Sequence, residues 1–464
     1  MDSKVINEVN TLWERVYPYL AQYIMDLFGS QGGDVLELGP FSGGIAKGLL
    51  SLSPHWKIVI AGESLDVFES TKEQIKETGY TEMMRVTLSP LSSLVFLDQS
   101  FDLVISRGAF FFLSPFLLRE AYRVLRPGGL AILGGGYGPY TPQTLIEEIA
   151  EESKSLNQML GKTWIKNEDV AGLIQKASLN GRAEISEKGG LWVILRKEGE
   201  EVQGARNNSL KEALSLKDHE IISLVGGGGK TTLLFALAKE LKKTGLKVIT
   251  TTTTKIFEPS REQAPCLVIE EDNARAIELV KNRLSSHAHV TLATKKFQDE
   301  KIGGVNPDII ERLSQQLPVD YLIVEADGAK KLPIKAPSDH EPVVPSATTL
   351  VIATVGIDAV GKPLVEEEAF RPRQIAELTG AKIGDTINPW LIATLITHPQ
   401  GLIKGAPPGA RIIPFINKVE TEEDLKEGRK VAYEVLRKGD QRIEKVVLGR
   451  LFYCHPIVEI LRRD

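Results

Sequence analysis

Residues 223–234 read SLVGGGGKTTLL and join an apolar run to a helical pattern through four consecutive glycines. Upstream, EIISLVG predicts a buried strand, and downstream TTLLFALAKELKKTG predicts a helix. A glycine turn that ends in lysine and threonine at a helix start is typical of a phosphate site, because free backbone N–H groups and the helix dipole attract anions. The stretch therefore predicts an α/β fold with a nucleotide site in mid-chain.

The spacing of this turn departs from the usual P-loop, G-x-x-x-x-G-K-[ST]. The position expected for the first glycine holds Leu224, and the pattern present is the shorter G-x-x-G-K-T, from Gly226 to Thr231. That short loop is similar to the loop of the Mur-type ligases. We expect phosphate contacts from Gly226, Gly227, Gly228, Gly229, Lys230, Thr231 and Thr232.

A second strand carries the acids that a phosphate site needs. In DYLIVEADG the apolar run YLIV delivers Glu325 and Asp327, which share one face of an extended chain. We expect Lys230, Glu325 and Asp327 to act catalytically and Thr231 with Asp327 to hold Mg²⁺, while Lys230 neutralises the outer phosphates. The charged loop PIKAPSDHEPVVP, with Lys335 and Glu341, suits either phosphate contact or plain surface placement.

Two further segments are candidates at strand ends. Asn417 and Lys418 in ARIIPFINKVE are expected to contact the nucleotide, since GTPases read guanine with N-K-x-D. Here the acid is Glu420, one methylene longer than Asp, so ATP and GTP both stay open. Thr253, Thr254 and Lys255 in LKVITTTTTKIF are weaker candidates for metal or phosphate contact.

An earlier glycine-rich turn predicts a different site. VLELGPFSGG, residues 35–44, places Glu37, Gly39 and Gly43 where a strand hands over to a helix. The next strand, KIVIAGES, ends at Glu63, an acid placed to accept hydrogen bonds from ribose hydroxyls. We expect these four residues to bind a nucleotide-like cofactor.

Length and composition limit the class of protein. The 464 residues exceed what one core usually serves, and 42% hydrophobic and 25% charged residues are ordinary for a globular protein. A net charge of −5 argues against nucleic acid as a partner. With two cysteines and neither a signal pattern nor a long apolar run, we expect a cytoplasmic protein without a membrane partner.

Strand–helix alternation before and after a polar stretch indicates two α/β domains in series. We predict a first domain at 1–198, a linker at 199–209 and a second domain at 210–464. The spacing of apolar residues over 4–28 predicts one amphipathic helix, and GRAEISE with GLWVILRK predicts an antiparallel edge of the first sheet.

The first half resembles the class I S-adenosylmethionine-dependent methyltransferases. VLELGPFSGG, Glu63, SFDLVIS and LREAYRVLRPGGLAIL stand in the order of that family's motifs. The resemblance implies a Rossmann-like seven-stranded sheet and S-adenosylmethionine bound by Glu37, Gly39 and Glu63. The sequence departs from the family at Leu88 and Ser89, where a Gly-Asp pair usually reaches the adenine amine.

The second half resembles the selenium-dependent hydroxylase accessory protein (YqeC-like) family. The motifs that carry the likeness are GGGGKTTLL, ITTTTTKIF, IVEADGAKKLPIKAPSDHEPVVP, ATVGIDAVGKPL, FRPRQIAELTG and GARIIPFINKVE. The resemblance implies a nucleotide-binding role in the maturation of selenium-dependent molybdenum hydroxylases. For the fold we expect a P-loop NTPase-like parallel sheet flanked by helices.

Together these observations favour a bifunctional accessory protein. One domain would methylate a small molecule or a protein, and the other would bind ATP or GTP with Mg²⁺ and hydrolyse it or activate a substrate. The expected partner is a small-molecule substrate or a molybdenum hydroxylase client. Two alternatives stay open: a Mur-like ATP-dependent ligase or small-molecule kinase, suggested by the short loop, and a non-enzymatic maturation chaperone switched by nucleotide.

Overall fold

A computed structural model describes residues 3–161, 165–199 and 209–463. The described residues pack as two compact units: the chain up to 199 with 452–454, and 209–451 with 455–463. Each unit is described by itself. Most of the predicted linker, residues 200–208, lies outside the described residues, so the domain boundaries stay a prediction.

The first unit alternates strands with helices around one sheet. Its elements are α1 (Ser3–Trp13), α2 (Tyr17–Phe28), β1 (Gly32–Leu38), α3 (Gly44–Leu52), β2 (His55–Gly62), α4 (Leu65–Glu77), β3 (Met84–Leu88), β4 (Phe101–Arg107), α5 (Pro115–Val124), β5 (Leu125–Gly134), α6 (Gln143–Glu152), α7 (Lys154–Met159), α8 (Asn167–Lys176), β6 (Ala183–Ser186) and β7 (Trp192–Arg196).

The order of the first sheet is β3-β2-β1-β4-β5-β7-β6. Strands β1 to β5 pair in parallel, and β7 runs antiparallel to both β5 and β6. The seven strands and the antiparallel pairing at the edge confirm the seven-stranded sheet and the antiparallel edge that were expected for the first domain from the sequence. Strand β3 was not among the apolar runs singled out there, because MRVTL is only partly buried.

The prediction of one helix over 4–28 is wrong. The chain forms α1 and α2 instead, with residues 14–16 between them. Pro18 lies in the first turn of α2. Proline has no N–H to donate to a preceding turn, so it is tolerated at the start of a helix and breaks a continuous one.

The second unit is built on a larger sheet. Its elements are α9 (Leu210–Ala213), β8 (Glu220–Gly226), α10 (Lys230–Lys243), β9 (Val248–Thr252), β10 (Ile256–Phe257), β11 (Leu267–Ile269), α11 (Asn273–Leu284), β12 (His289–Ala293), β13 (Lys301–Ile302), α12 (Pro307–Gln316), β14 (Tyr321–Glu325), β15 (Ile334–Lys335), β16 (Leu350–Gly356), β17 (Ala369–Phe370), α13 (Pro372–Thr379), α14 (Pro389–Thr397), β18 (Arg411–Asn417), α15 (Glu422–Lys438), β19 (Lys445–Gly449) and β20 (Ile457–Arg462).

The second sheet is mixed, which corrects the expectation of a parallel sheet. Its order is β11-β12-β9-β14-β8-β16-β18-β19-β20, and β20 pairs antiparallel with β19. Only residues 450–456 connect these two strands. A parallel pair needs a crossover of a dozen or more residues, so this link allows only an antiparallel return.

Strand β8 marks the point at which this sheet changes direction. From β8 the chain builds β9 and β14 on one side and then crosses to β16 on the other. Open α/β sheets bind ligands outside the carboxyl ends of strands at such a point, because adjacent connections diverge there and leave a crevice. The glycine turn that follows β8 lies at that place.

The described helices do not include one that combines the length and the apolar character needed to cross a bilayer.

Candidate functional site

The glycine turn between β8 and α10 is held by hydrogen bonds to its own unit. The Gly226 amide donates to the Asp327 carboxylate at 3.1 Å, the Gly227 amide to the Thr354 carbonyl at 2.9 Å, and the Gly228 amide to the Leu332 carbonyl at 3.0 Å. The next amides, from Gly229 onward, open α10 and have no acceptor one turn earlier within the helix. These amides are the donors that a phosphate group would meet.

Close packing explains why this turn is made of glycine. A Cβ on Gly226 would lie 2.2 Å from the Thr354 carbonyl oxygen, and one on Gly228 would lie 2.1 Å from the Gly356 nitrogen. Gly229 has a φ of 130° and faces the Asn417 side chain. Part of what the sequence presents as a phosphate motif is therefore required by the approach of the turn to neighbouring strands.

Lys230 is buried between two carboxylates at the start of α10. Its Nζ lies 2.5 Å from the Gly226 carbonyl oxygen, 3.2 Å from Asp327 Oδ1 and 3.7 Å from Glu325 Oε1. Burial lowers the pKa of Lys230, but Asp327 and Glu325 outweigh it and hold that pKa above its usual value. The lysine is thus a fixed cation where the sequence predicted one.

The structure pairs Thr231 with Glu325 rather than with Asp327. The Thr231 hydroxyl donates to Glu325 Oε2 at 2.7 Å. Burial raises the pKa of Glu325, although Lys230 and the Thr231 hydroxyl oppose that shift. Hydroxyl and carboxylate oxygens side by side are the donor set that Mg²⁺ prefers. The exposed Thr232 follows them on the first turn of α10.

Asp327 belongs to a chain of alternating charges that continues away from Lys230. Lys335, which is fully buried, lies 3.1 Å from Asp327 Oδ2 and 2.6 Å from Glu341 Oε2, and Arg371 binds the same Glu341 oxygen at 2.6 Å. Burial opposes ionisation of Glu341, but Arg371 and Lys335 hold its pKa below the usual range. The charged loop is therefore part of the site's framework, and Arg371 is a member that sequence reasoning missed.

Asn417 supports the glycine turn with both ends of its amide. Its Nδ2 donates to the Gly228 carbonyl at 2.8 Å, and its Oδ1 accepts from the Leu451 amide at 3.0 Å. Lys418 forms an ion pair with Asp358 at 2.6 Å. These two hydrogen bonds make Asn417 a brace of the turn.

The weaker candidates in LKVITTTTTKIF are engaged elsewhere. The Thr253 hydroxyl donates to the Val343 carbonyl at 2.9 Å. The Lys255 ammonium lies 3.7 Å from the centroid of the Phe297 ring. Neither side chain is joined to the Lys230 cluster by a contact among the described residues.

In the first unit Glu37 is buried at the carboxyl end of β1. Its Oε2 accepts from the Ala46 amide in the first turn of α3 at 3.0 Å, and its Oε1 has no hydrogen-bond partner among the described residues. Burial raises the pKa of Glu37 to about 7, although hydrogen bonds from the helix start oppose the shift. Such a group changes charge near neutral pH.

The other predicted cofactor residues lie on the same edge of the sheet. Glu63 follows β2, is exposed, and accepts from the Leu91 amide at 2.6 Å. Gly39 follows β1 with a φ of 100°, and a Cβ there would lie 2.5 Å from the ring of Phe112. Gly43 precedes α3 with a φ of 101°. All three stand at the carboxyl ends of adjacent parallel strands.

Where the methyltransferase family usually has Gly-Asp, the structure shows a turn with no carboxylate. The Ser89 hydroxyl accepts from the Val95 amide at 3.2 Å, and Leu88 is exposed. Leu65, at the start of α4, is exposed as well. The edge beside Glu63 therefore offers apolar surface.

Sequence reasoning also missed two residues of the first unit. Tyr17 packs against Gly44 at the start of α3, and Arg107 ends β4 with its guanidinium 4.1 Å from the centroid of the Trp13 ring. Tyr17 was hidden in a helix pattern. Arg107 directly follows the run SFDLVIS, and the sequence patterns did not single it out.

Comparisons with known proteins match the two units separately. The family described as YqeC protein matches residues 222–373, and the family described as methyltransferase domain matches residues 36–133. The chain is 27% identical over 196 residues to the biotin biosynthesis bifunctional protein BioHC of Teredinibacter turnerae, covering 40% of this chain and 31% of that protein.

Two solved structures resemble the first unit. An S-adenosyl-L-methionine-dependent methyltransferase from Methanococcus maripaludis is 25% identical with a TM-score of 0.37, covering 43% of this chain and 95% of that one. A SAM-dependent methyltransferase from Aquifex aeolicus is 15% identical with a TM-score of 0.31, covering 42% and 97%.

The second unit has a closer relative in sequence. Protein YqeC of Escherichia coli K12 is 36% identical over 198 residues, which cover 43% of this chain and 75% of that protein. Together with the family match over 222–373, this identity shows that the chain belongs to the YqeC family, and that it carries a methyltransferase domain ahead of the YqeC domain.

Proposed function

We propose that the second unit binds a nucleoside triphosphate with Mg²⁺ at the turn between β8 and α10. The observation that carries the proposal is the position of Lys230, which is buried beside Glu325 and Asp327 at a helix N-terminus. A cation and unpaired helix amides at the mouth of a sheet crevice provide what a polyphosphate requires.

The residues present fit both the nucleotide and the metal. Lys230 would neutralise the outer phosphates, and the amides that open α10 would donate to phosphate oxygens. Thr231 and Glu325, whose side chains already contact at 2.7 Å, would hold Mg²⁺, with Asp327 as a further oxygen ligand or as the acceptor of a metal-bound water. The metal supplies charge neutralisation when bound.

Calorimetric titration of the full chain with Mg-ATP and with Mg-GTP tests this site. Lys230→Met should lower the affinity for the nucleotide about a hundredfold, because a fixed counter-charge is lost. Lys239→Met, on the exposed face of the same helix, is the matched control and should bind as the wild type does. If the wild type binds neither nucleotide at millimolar concentration, the proposal fails.

For the first unit we propose binding of S-adenosylmethionine at the carboxyl ends of β1 and β2. Glu37 and Glu63 stand at these ends, and the exposed Leu65 and Leu88 provide apolar surface for an adenine ring. The methyltransferase family match and the names of the related structures support the same cofactor. When bound, it supplies an activated methyl group, so the protein needs only to orient the acceptor and exclude water.

The affinity for S-adenosylhomocysteine tests this site of the first unit. Glu63→Ala should weaken it at least tenfold, because a hydrogen-bonded anion at the ribose is removed. Glu77→Ala, an exposed acid at the end of α4, serves as the control. Equal affinities of the Glu63 variant and the wild type would contradict the assignment.

The combined proposal is a bifunctional accessory protein for the maturation of selenium-dependent molybdenum hydroxylases. This role rests on the likeness of the second unit to the accessory protein family. In a host that makes such a hydroxylase, deletion of the gene should remove hydroxylase activity, and the wild-type gene but not Lys230→Met should restore it. Full activity in the deletion strain would end this proposal.

One observation favours a second candidate, a nucleotide-driven conformational switch without turnover. Three amides of the glycine turn, those of residues 226–228, already donate to the protein. A phosphate that contacts these amides as well as the ones that open α10 would require these bonds to exchange. Hydrogen exchange of residues 226–232 with Mg-ATP and steady-state phosphate release separate the two candidates. A protected turn without measurable release would favour the switch, and release at several turnovers per minute would favour hydrolysis.

A further inference from the structure

Arg107 is a buried cation without a carboxylate partner in the part of the chain that the structure describes. It ends β4 on the sheet face that carries Leu103 and Ile105, and its side chain is 6% exposed. The guanidinium stacks on the Trp13 ring at 4.1 Å and lies 5.6 Å from the centroid of the Tyr17 ring. Its Nε has no hydrogen-bond partner among the described residues.

Two other buried cations of this protein do have carboxylate partners. Lys230 lies between Glu325 and Asp327, and Lys335 lies between Asp327 and Glu341. A buried charge without a counter-ion costs free energy that ring contacts repay only in part. Burial accordingly lowers the pKa of Arg107, although the Tyr17 hydroxyl, its hydrogen-bond partner, opposes the shift. A ligand anion beside Arg107 would remove this cost.

A second unsatisfied group lies on the neighbouring strand. Glu37 Oε1 is buried without a hydrogen-bond partner among the described residues, and it belongs to β1, the strand paired with β4. Tyr17 is near enough to feel the charges of both Arg107 and Glu37. A buried donor, Arg107 Nε, and a buried acceptor, Glu37 Oε1, are thus both unused near the carboxyl ends of two neighbouring parallel strands, where such sheets bind ligands.

We propose that Arg107, held by Trp13 and Tyr17, is the anion-binding residue of the first unit and takes a carboxylate of its ligand. The proposal rests on the proposed methyltransferase function. A planar guanidinium with fixed orientation suits a carboxylate because it can offer parallel N–H donors. Two ligands could supply that carboxylate: the amino-acid end of the cofactor, or the methyl acceptor.

The test compares Arg107→Met and Arg107→Gln with Arg119→Met, an exposed arginine on α5. Calorimetry on the full chain measures the affinity for each of three ligands. The first is S-adenosylhomocysteine, and the second is 5′-methylthioadenosine, which lacks the amino-acid end. The third is malonate, a carboxylate probe, titrated in the presence of S-adenosylhomocysteine. Both Arg107 variants should keep the thermal midpoint of the wild type, because the substitution removes an uncompensated buried charge. Arg107→Gln retains a polar side chain and serves as the second variant in case Arg107→Met disturbs the packing.

If Arg107 holds the cofactor's carboxylate, both variants lose at least tenfold in affinity for S-adenosylhomocysteine and none for 5′-methylthioadenosine. If it holds the acceptor's carboxylate, both nucleosides bind as before, and malonate binds the wild type and Arg119→Met but neither Arg107 variant. Unchanged affinities of the Arg107 variants for all three ligands would overturn the proposal. Failure of the wild type to bind either nucleoside would instead overturn the methyltransferase assignment, and malonate alone would then test Arg107.

Discussion

At the scale of single residues, both units place ionisable groups where burial and neighbours decide their charge. Lys230 stays charged because two carboxylates outweigh its desolvation. Glu37 has backbone donors but no ion-pair partner in the described part of the chain, and it loses its charge more readily. Both residues lie where a parallel strand ends and the next helix begins. Lys230 carries a fixed charge there, whereas the charge of Glu37 changes near neutral pH.

Glu37 gives a pH dependence whose sign follows from its raised pKa. Its usual value of 4.5 rises to about 7 in the folded protein, so the folded state holds a proton that the unfolded state has lost between these values. The stability contributed by this proton should be complete below pH 4.5 and be lost as pH rises through 7, by about 3 kcal/mol. Urea unfolding of wild type and Glu37→Gln at pH 5 and pH 8 checks this, and the variant should lack the difference.

The same group should couple proton release to binding of a cationic cofactor. S-adenosylmethionine carries positive charge, which favours ionised Glu37 and lowers its pKa. Calorimetry near pH 6.5 in buffers of different ionisation enthalpy should show proton release with the wild type and none with Glu37→Gln. Equal proton release by both proteins would place the titrating group elsewhere.

At the scale of elements, the turn between β8 and α10 is shaped as much by its neighbours as by its ligand. Gly228 and Gly245 both have positive φ, but a Cβ on Gly228 would strike the Gly356 backbone, and one on Gly245 would meet open space. Gly245→Ala should cost about 1 kcal/mol, from backbone strain alone. Gly228→Ala should lower the thermal midpoint clearly further, and equal midpoints would contradict the close packing.

Asn417 allows a prediction on nucleotide choice. Because its amide joins β18 to the Gly228 carbonyl and the Leu451 amide, Asn417→Ala should loosen the turn and weaken ATP and GTP by the same factor. Titration of both nucleotides measures the ratio of the two affinities. A selective loss of GTP binding would show that this side chain reads guanine after all.

At the scale of the whole molecule, each proposed site is built from one unit alone. The Glu37, Glu63 and Arg107 side chains belong to the first sheet and its helices, and Lys230, Glu325 and Asp327 belong to the second. We expect the two sites to bind their ligands independently, and effects at independent sites usually add. Saturating Mg-ATP should therefore change the affinity for S-adenosylhomocysteine by less than about twofold. A larger change in full-chain titrations would reveal coupling between the units.

The sequence by itself determined the α/β class, the antiparallel edge of the first sheet, and the position of the Lys230 turn between a strand and a helix. These features are local, since apolar periodicity and glycine, lysine and threonine at a helix start need only a few consecutive residues. The sequence also brought Glu325 and Asp327 to the site, because residues two apart on a strand share a face.

Only the tertiary structure decided which partners these side chains find. Thr231 contacts Glu325 instead of Asp327, Asn417 braces the Gly228 carbonyl, and Arg371 closes a charge chain through Glu341. Each pairing joins segments far apart in the chain, and its geometry depends on strand order and on close packing. The same holds for the antiparallel β20 and for Arg107, whose lack of a carboxylate partner among the described residues follows from what the fold places around it.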